Sequence, residues 1–255
     1  MILLSQHEPH IGRTEQGWKI IAATVTGAMH ERKGEPGQDA YAVGVDQGLL
    51  VAVVCDGAGS AVLGGEGARL CSQLVVEGLL EIQGELTEAF VKERIVLCID
   101  RARRSVMKFG ELKEYAATLV GLIAHREMGW FFHIGDGAGV AFGADQAQTV
   151  TKPENGTYIN ETYFFTDGDW QNHLRITAFG SAEALILMSD GVTSFAMLPY
   201  SVGVDDRFTA PVFRYLRETD PEQSGRALSG TLGCENARKV SDDDKTFLYV
   251  ERMPE

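Results

Sequence analysis

Basic residues are in short supply: 23 lysines and arginines stand against 36 aspartates and glutamates, a formal net charge of -13 over 255 residues. Such a chain repels phosphate backbones over about one Debye length, which argues against nucleic acid as a general partner but leaves cations welcome. No apolar run approaches the roughly 20 residues that cross a bilayer. Met1 to Gly12 mixes polar and acidic residues where a secretion signal needs an unbroken apolar stretch. The expectation is a soluble, cytoplasmic protein with no membrane partner. Cysteine is sparse as well. Cys55, Cys71, Cys98 and Cys234 lie far apart with no C-x-x-C pair, which fits a reducing compartment and argues against a zinc site or a disulfide framework. All four read as small core residues. Internal repeats, low-complexity tracts, linkers and a Walker lysine motif are missing too.

What is present is enough apolar material, 44% of residues, for one sizeable core, and residues 1–255 read as a single domain. Trp18 to Ala28 has the Ile, Val and Thr content of a strand. Ala40 to Val45 and Leu49 to Cys55 read as a hairpin across the Asp46-Gln47-Gly48 turn. After a Gly-rich stretch at 57–67, apolar residues recur at helical spacing from Ala68 to Leu80 and again from Phe90 to Val106. Strand patterns return at Ala117 to Ala124, Trp130 to Ile134, Gly139 to Phe142, Tyr163 to Thr166, Leu174 to Ala178 and Ala184 to Met188. Lys152 to Trp170 reads as the main irregular excursion. Arg207 to Glu218 and Pro221 to Thr231 look helical, with Pro221 in a first-turn position and Gly233 as a stop, and Thr246 to Val250 is a last strand. Strand and helix do not alternate, so a doubly wound parallel sheet is disfavoured; an antiparallel sandwich with helices on its outer faces fits better.

Five segments share one design, an apolar strand ended by Asp, usually with Gly beside it: Gly37-Gln38-Asp39-Ala40, Cys55-Asp56-Gly57, Gly135-Asp136-Gly137, Ser189-Asp190-Gly191 and Asp242-Asp243-Asp244. One Asp-Gly pair alone is most often a β-turn. Five of them at the mouths of apolar strands point elsewhere, because a carboxylate there is costly unless it is solvated, hydrogen-bonded or bound to a cation. A neighbouring Gly lets the backbone turn and expose a carbonyl, the other hard ligand of Mg²⁺ or Mn²⁺. The expectation is an all-oxygen, binuclear metal centre.

In order and spacing, Gln38-Asp39, Asp56-Gly57-Ala58-Gly59, Thr118 with the strand into Gly135-Asp136, Ser189-Asp190-Gly191 and Asp243-Asp244-x-Thr246 resemble the PPM/PP2C family of metal-dependent protein phosphatases. The resemblance runs from about Trp18 to Val250, and Glu154 to Thr166 resembles the bacterial branch. It implies an α+β fold, a four-layer α-β-β-α sandwich of two antiparallel sheets flanked by helices, with the metal centre at one end. It also implies that Asp56 bridges two cations, Mn²⁺ or Mg²⁺, and that the Gly57 carbonyl reaches one of them. Asp190 and Asp243 would complete the first ion, Asp39 would serve the second, and Asp136 a looser third. The implied reaction is hydrolysis of phosphoserine or phosphothreonine in proteins by water or hydroxide held between the ions, with Asp56, Asp190 and Asp243 as the catalytic set and no Cys or Ser nucleophile. A phosphoprotein substrate, and with it a partner Ser/Thr kinase, is implied in the same way.

Three positions depart from the family pattern. Ala58 stands where many members carry a proton-donating His, leaving water, His30 or His133 for that task. The phosphate-binding Arg is represented by Arg32-Lys33 in shifted register; Arg32 is preferred over Lys33 for its planar fork, though a solvated basic loop is an equal alternative. Gly135-Asp136-Gly137-Ala138 replaces Gly-Asp-Ser-Arg. Other readings fare worse. A dinucleotide-binding loop at 56–62 lacks its third glycine, where Val62 stands, and an EF-hand at Ser241 to Thr246 lacks its Gly and distant Glu. A pseudophosphatase that binds phosphoproteins without hydrolysing them is the alternative from another class; retention of Asp39, Asp56, Asp190 and Asp243 favours catalysis.

Overall fold

The computed structural model describes residues 2–125, 127–144, 147–151, 162–199 and 203–253. The chain opens with β1 (Ile2–Leu4), β2 (His10–Glu15), β3 (Trp18–Val25), α1 (Ala28–Lys33), β4 (Ala40–Asp46) and β5 (Leu49–Cys55). Two long helices follow, α2 (Gly64–Leu80) and α3 (Glu88–Val106), then a 3₁₀ turn (Leu112–Tyr115). The middle holds β6 (Leu119–His125), β7 (Met128–Ile134), β8 (Ala138–Phe142), β9 (Gln148–Val150), α4 (Trp170–His173), β10 (Arg175–Phe179) and β11 (Ala184–Met188). The last part is α5 (Asp190–Ala196), α6 (Asp206–Glu218), α7 (Pro221–Leu232), α8 (Glu235–Val240) and β12 (Lys245–Arg252).

The strands form two antiparallel sheets, ordered β1-β4-β5-β6-β7-β10 and β2-β3-β12-β11-β8-β9. Alternation along each central strand sends successive side chains into different layers. In β5, Leu50, Ala52 and Val54 join the core between the sheets, while Val51, Val53 and Cys55 face α2 and α3 with Val75, Leu79, Ile95 and Ile99. In β12, Leu248 and Val250 face the other sheet, and Phe247 and Tyr249 face α5, α6 and α7. Being covered on both faces explains why these strands read as continuous apolar runs. The result is the four-layer α-β-β-α sandwich that the resemblance implies.

Several local expectations are corrected. Tyr163 to Thr166 is not a strand but an irregular turn, tied down by the Arg103 guanidinium, which donates to the Phe165 and Asp167 carbonyls. The β3 pattern stops at Val25, and 28–33 folds into α1, ended by Gly34 at φ +70°. Strands β1 and β2 have no counterpart in the sequence reading, since three polar-flanked residues and a Gly-containing stretch carry little alternation. Helix α2 begins inside the Gly-rich stretch, because Gly64 and Gly67 are packed against backbone: a Cβ on Gly67 would overlap the Tyr115 carbonyl. Of the cysteines, Cys55, Cys71 and Cys98 are buried, but Cys234 is exposed, at the start of α8. Most of the excursion from Lys152 and of the Glu154 to Thr166 segment lies outside the described residues. Among the described residues no helix is long and apolar enough to cross a membrane.

Candidate active site

The aspartates meet at one end of the sandwich. Asp56 and Asp136 follow β5 and β7, and Asp190 opens α5 just after β11. Asp39 and Asp243 instead precede β4 and β12, so two of the five segments start a strand rather than end one. Antiparallel pairing explains the convergence. Ala40 lies opposite Cys55, which sets Asp39 beside Asp56, and Met188 lies opposite Phe247, which sets Asp190 beside the 243–245 stretch.

A hydrogen-bonded frame fixes this end. The Asp56 N–H donates to Thr118 Oγ1 at 3.0 Å, and the Thr118 N–H returns a bond to the Asp56 carbonyl at 2.8 Å. Ser189 Oγ donates to Asp39 Oδ2 at 2.7 Å and accepts from the Thr246 N–H at 2.9 Å, joining the two sheets. Thr162 Oγ1 donates to Asp136 Oδ2 at 2.6 Å. Gly135 sits at φ +105°, a conformation that favours glycine, and turns the chain from β7 into Asp136. Gly57 is needed for a different reason: a Cβ there would collide with the backbone of Gly64 and Gly65.

The three consecutive aspartates before β12 divide their tasks. Asp242 is exposed and ion-paired to Arg32 at 2.7 Å. Asp243 faces the cleft. Asp244 is buried, accepting from the Gly27 and Gln38 N–H groups at 2.6 Å each, with His30 Nδ1 3.0 Å away. Lys245, also buried, donates to the Ser241 and Asp243 carbonyls at 2.8 and 2.7 Å, which pins the loop that carries Asp243. The roles of Asp244 and Lys245 went unread in the sequence, where a run of acids followed by Lys looks like a solvated surface loop.

Asp56, Asp136, Asp190 and Asp243 line a cleft of about 400 Å³, together with Gly57, Thr118, His30 and the Gly59-Ser60 loop. Asp39 lies under it, tied to Ser189. A larger hollow of about 1140 Å³ lies at the opposite end, beside the turn before β5, away from this cluster. Arg32 and Lys33 do not reach the cleft: Arg32 is held by Asp242, and Lys33 stands 3.9 Å from Glu35. Among the described residues His30 is the only basic side chain lining the cleft. His133 is fully buried in β7, where burial pushes its pKa down to about 3, and it does not line the cleft.

Crowded, desolvated carboxylates disfavour one another's charge. Burial, then the Asp244 charge, raises Asp39 to about 8. Burial, then Asp136, raises Asp190 to about 6. Burial, then Asp39 and Asp190, raises Asp56 well above the carboxylate range. Asp39 Oδ1 and Asp190 Oδ1 are buried with no hydrogen-bond partner. Among the described residues no three acidic, His or Cys side chains form a closed ion cage. The oxygens nevertheless suit hard divalent cations, since the donor set is all oxygen and two of its atoms have nothing else to bind.

Fold and cleft together define a four-layer sandwich with carboxylates clustered at one end, and known proteins place it further. Residues 26–233 match the protein phosphatase 2C family. The chain is 30% identical over 252 residues to serine/threonine-protein phosphatase 3 of Escherichia coli K12, covering 91% of this chain and 98% of that one. Its fold is similar to that of serine/threonine phosphatase Stp1 from Staphylococcus aureus, at a TM-score of 0.67 and 16% identity over 96% of this chain and 97% of that one. It is also similar to RsbX in complex with magnesium, at a TM-score of 0.62 and 13% identity over 99% and 100% of the two chains. The chain belongs to the protein phosphatase 2C family and is a protein phosphatase.

Proposed function

We propose that this chain, as one domain, hydrolyses phosphoserine and phosphothreonine monoesters in proteins at the Asp56 cleft, with two divalent cations, Mn²⁺ or Mg²⁺. The observation that carries this reading is the set of buried acceptors without partners, Asp39 Oδ1 and Asp190 Oδ1, beside carboxyls whose charge is suppressed by burial and by one another. Asp56 would be shared between the ions, with Asp190, Asp243 and the Gly57 carbonyl on one and Asp39 on the other; Asp136 would hold a weaker third. When bound, such ions supply Lewis acidity toward the phosphoryl oxygens and activate water.

The remaining groups orient and frame. Thr118 fixes the Asp56 backbone, Ser189 orients Asp39, Thr162 orients Asp136, and Lys245 holds the loop of Asp243. With Ala58 offering no donor, His30 is the side chain we assign to returning a proton to the leaving oxygen. The substrates would be proteins modified by a Ser/Thr kinase.

Hydrolysis of para-nitrophenyl phosphate tests the proposal. Turnover should require Mn²⁺ or Mg²⁺ and stop with chelator, and Asp56→Asn and Asp190→Asn should each lose about a hundredfold or more in kcat/KM. Activity indifferent to chelator would overturn the metal reading. Phosphoprotein binding with no turnover at saturating metal would favour the pseudophosphatase.

A further inference from the structure

The assignment of the cleft to phosphoprotein hydrolysis, on which this inference rests, fixes where a protein substrate must lie. A phosphoserine side chain is short, so the backbone bearing it crosses the cleft mouth, and its neighbours land on the rim at about 3.3–3.6 Å per residue. One side of that rim is the 58–63 loop. Gly59 and Ser60 line the cleft, and Val62 and Leu63 follow at once, 81% and 37% exposed.

The loop is held in place. The Ala58 N–H donates to the Ala116 carbonyl at 2.9 Å, Ala61 to Ala58 at 2.8 Å, and Leu63 to Glu114 at 2.8 Å. The last bond joins it to the 3₁₀ turn, whose Glu114 and Tyr115 side chains pack on Gly110. Phe109, 71% exposed, therefore stands next to the same turn. Exposed apolar side chains on a fixed backbone, continuous with a catalytic cleft, are a feature of interaction surfaces. The cleft lining also offers, among the described residues, no Lys or Arg that would select acidic neighbours of the phosphorylated residue.

We propose that Val62 and Leu63 form a docking strip for the substrate polypeptide, taking an apolar side chain two or three residues from the phosphorylated one. Val62 lies two residues beyond the cleft-lining Ser60, a separation of at most about 7 Å, which two or three residues of an extended substrate can span.

Two phosphoserine peptides that differ only in Leu or Gln at the third residue from the phosphoserine test this, each read as kcat/KM relative to para-nitrophenyl phosphate. The protein should prefer the Leu peptide by about fivefold to tenfold, as expected for partial burial of one aliphatic side chain. Val62→Asp should erase that preference, and Val62→Met should keep it. Equal use of the two peptides, or an unaltered preference in Val62→Asp, would overturn the docking strip while leaving the catalytic reading intact. No turnover of any of the three substrates with Mn²⁺ would overturn both. A concentration-dependent dimer abolished by Val62→Asp, with no change in peptide preference, would assign the strip to a second copy of the chain and reject the proposal.

Discussion

Asp244 is acidic, lines the candidate cleft, and is buried and occupied by backbone N–H groups. Its two oxygens accept the Gly27 and Gln38 N–H groups and face His30, so one side chain gathers the approach to α1, α1 itself and the approach to β4. Asp244→Ala leaves two buried N–H groups unpaired and should cost about 2–4 kcal/mol, or roughly 5–15 °C in melting temperature. Asp244→Asn keeps one acceptor and should lose less, which calorimetry at saturating Mn²⁺ would show. An alanine variant as stable as the parent would remove Asp244 from this role. The sequence places Asp244 next to Asp243 in one motif but does not say that one is exposed at the cleft while the other is buried under backbone N–H groups. Similarly, Ala58 is visibly not His, whereas the capture of Arg32 by Asp242 is not visible, because that pairing joins α1 to a loop that only the fold brings near.

At the scale of elements, close approach decides what a glycine is worth. In α2, Gly67→Ala would gain about 1 kcal/mol of helix propensity but would drive a methyl group into the Tyr115 carbonyl, at a cost of about 1–3 kcal/mol. In α7, a Cβ on Gly230 meets nothing within 4 Å, so Gly230→Ala should gain up to about 1 kcal/mol. Urea denaturation should therefore move in opposite directions for the two variants, and a stabilised Gly67→Ala would show that α2 and the 3₁₀ turn can separate freely. The elements that the sequence made legible are the long, strongly periodic ones: α2 and α3, the β4–β5 hairpin, and α6 and α7. What escaped were short pieces stabilised from outside themselves. Strand β1 is three residues paired to β4, α1 is held by Asp244 and by the Asp242 carbonyl, and the Tyr163 to Thr166 turn is held by Arg103. Their conformation is imposed by partners far along the chain, and local pattern carries none of it.

For the molecule as a whole, the carboxylate cluster predicts how stability responds to pH and metal. Asp39 and Asp190, raised to about 8 and about 6, and Asp56, raised well above the carboxylate range, bind protons more tightly in the folded chain than in the unfolded one. The unfolded chain then holds fewer protons between about pH 4 and 8, so the metal-free protein should lose stability as pH rises through that window. Cations that bind only the folded state act oppositely. At a hundred times its dissociation constant at pH 7, Mn²⁺ should raise the melting temperature by about 5–10 °C, and the same concentration should raise it by more at pH 8 than at pH 5.5, where protons compete for the carboxylates. Melting curves with and without chelator at the two pH values check both signs, and a Mn²⁺ shift that is largest at low pH would refute the cluster as its origin.

Asp39, Asp56 and Asp136 flank strands of one sheet, while Asp190 and Asp243 flank strands of the other, so on the proposed reading neither half of the sandwich would own a workable centre. A growing polypeptide would then be inert until residues as late as 243 have left the ribosome and β12 has taken its place between β3 and β11.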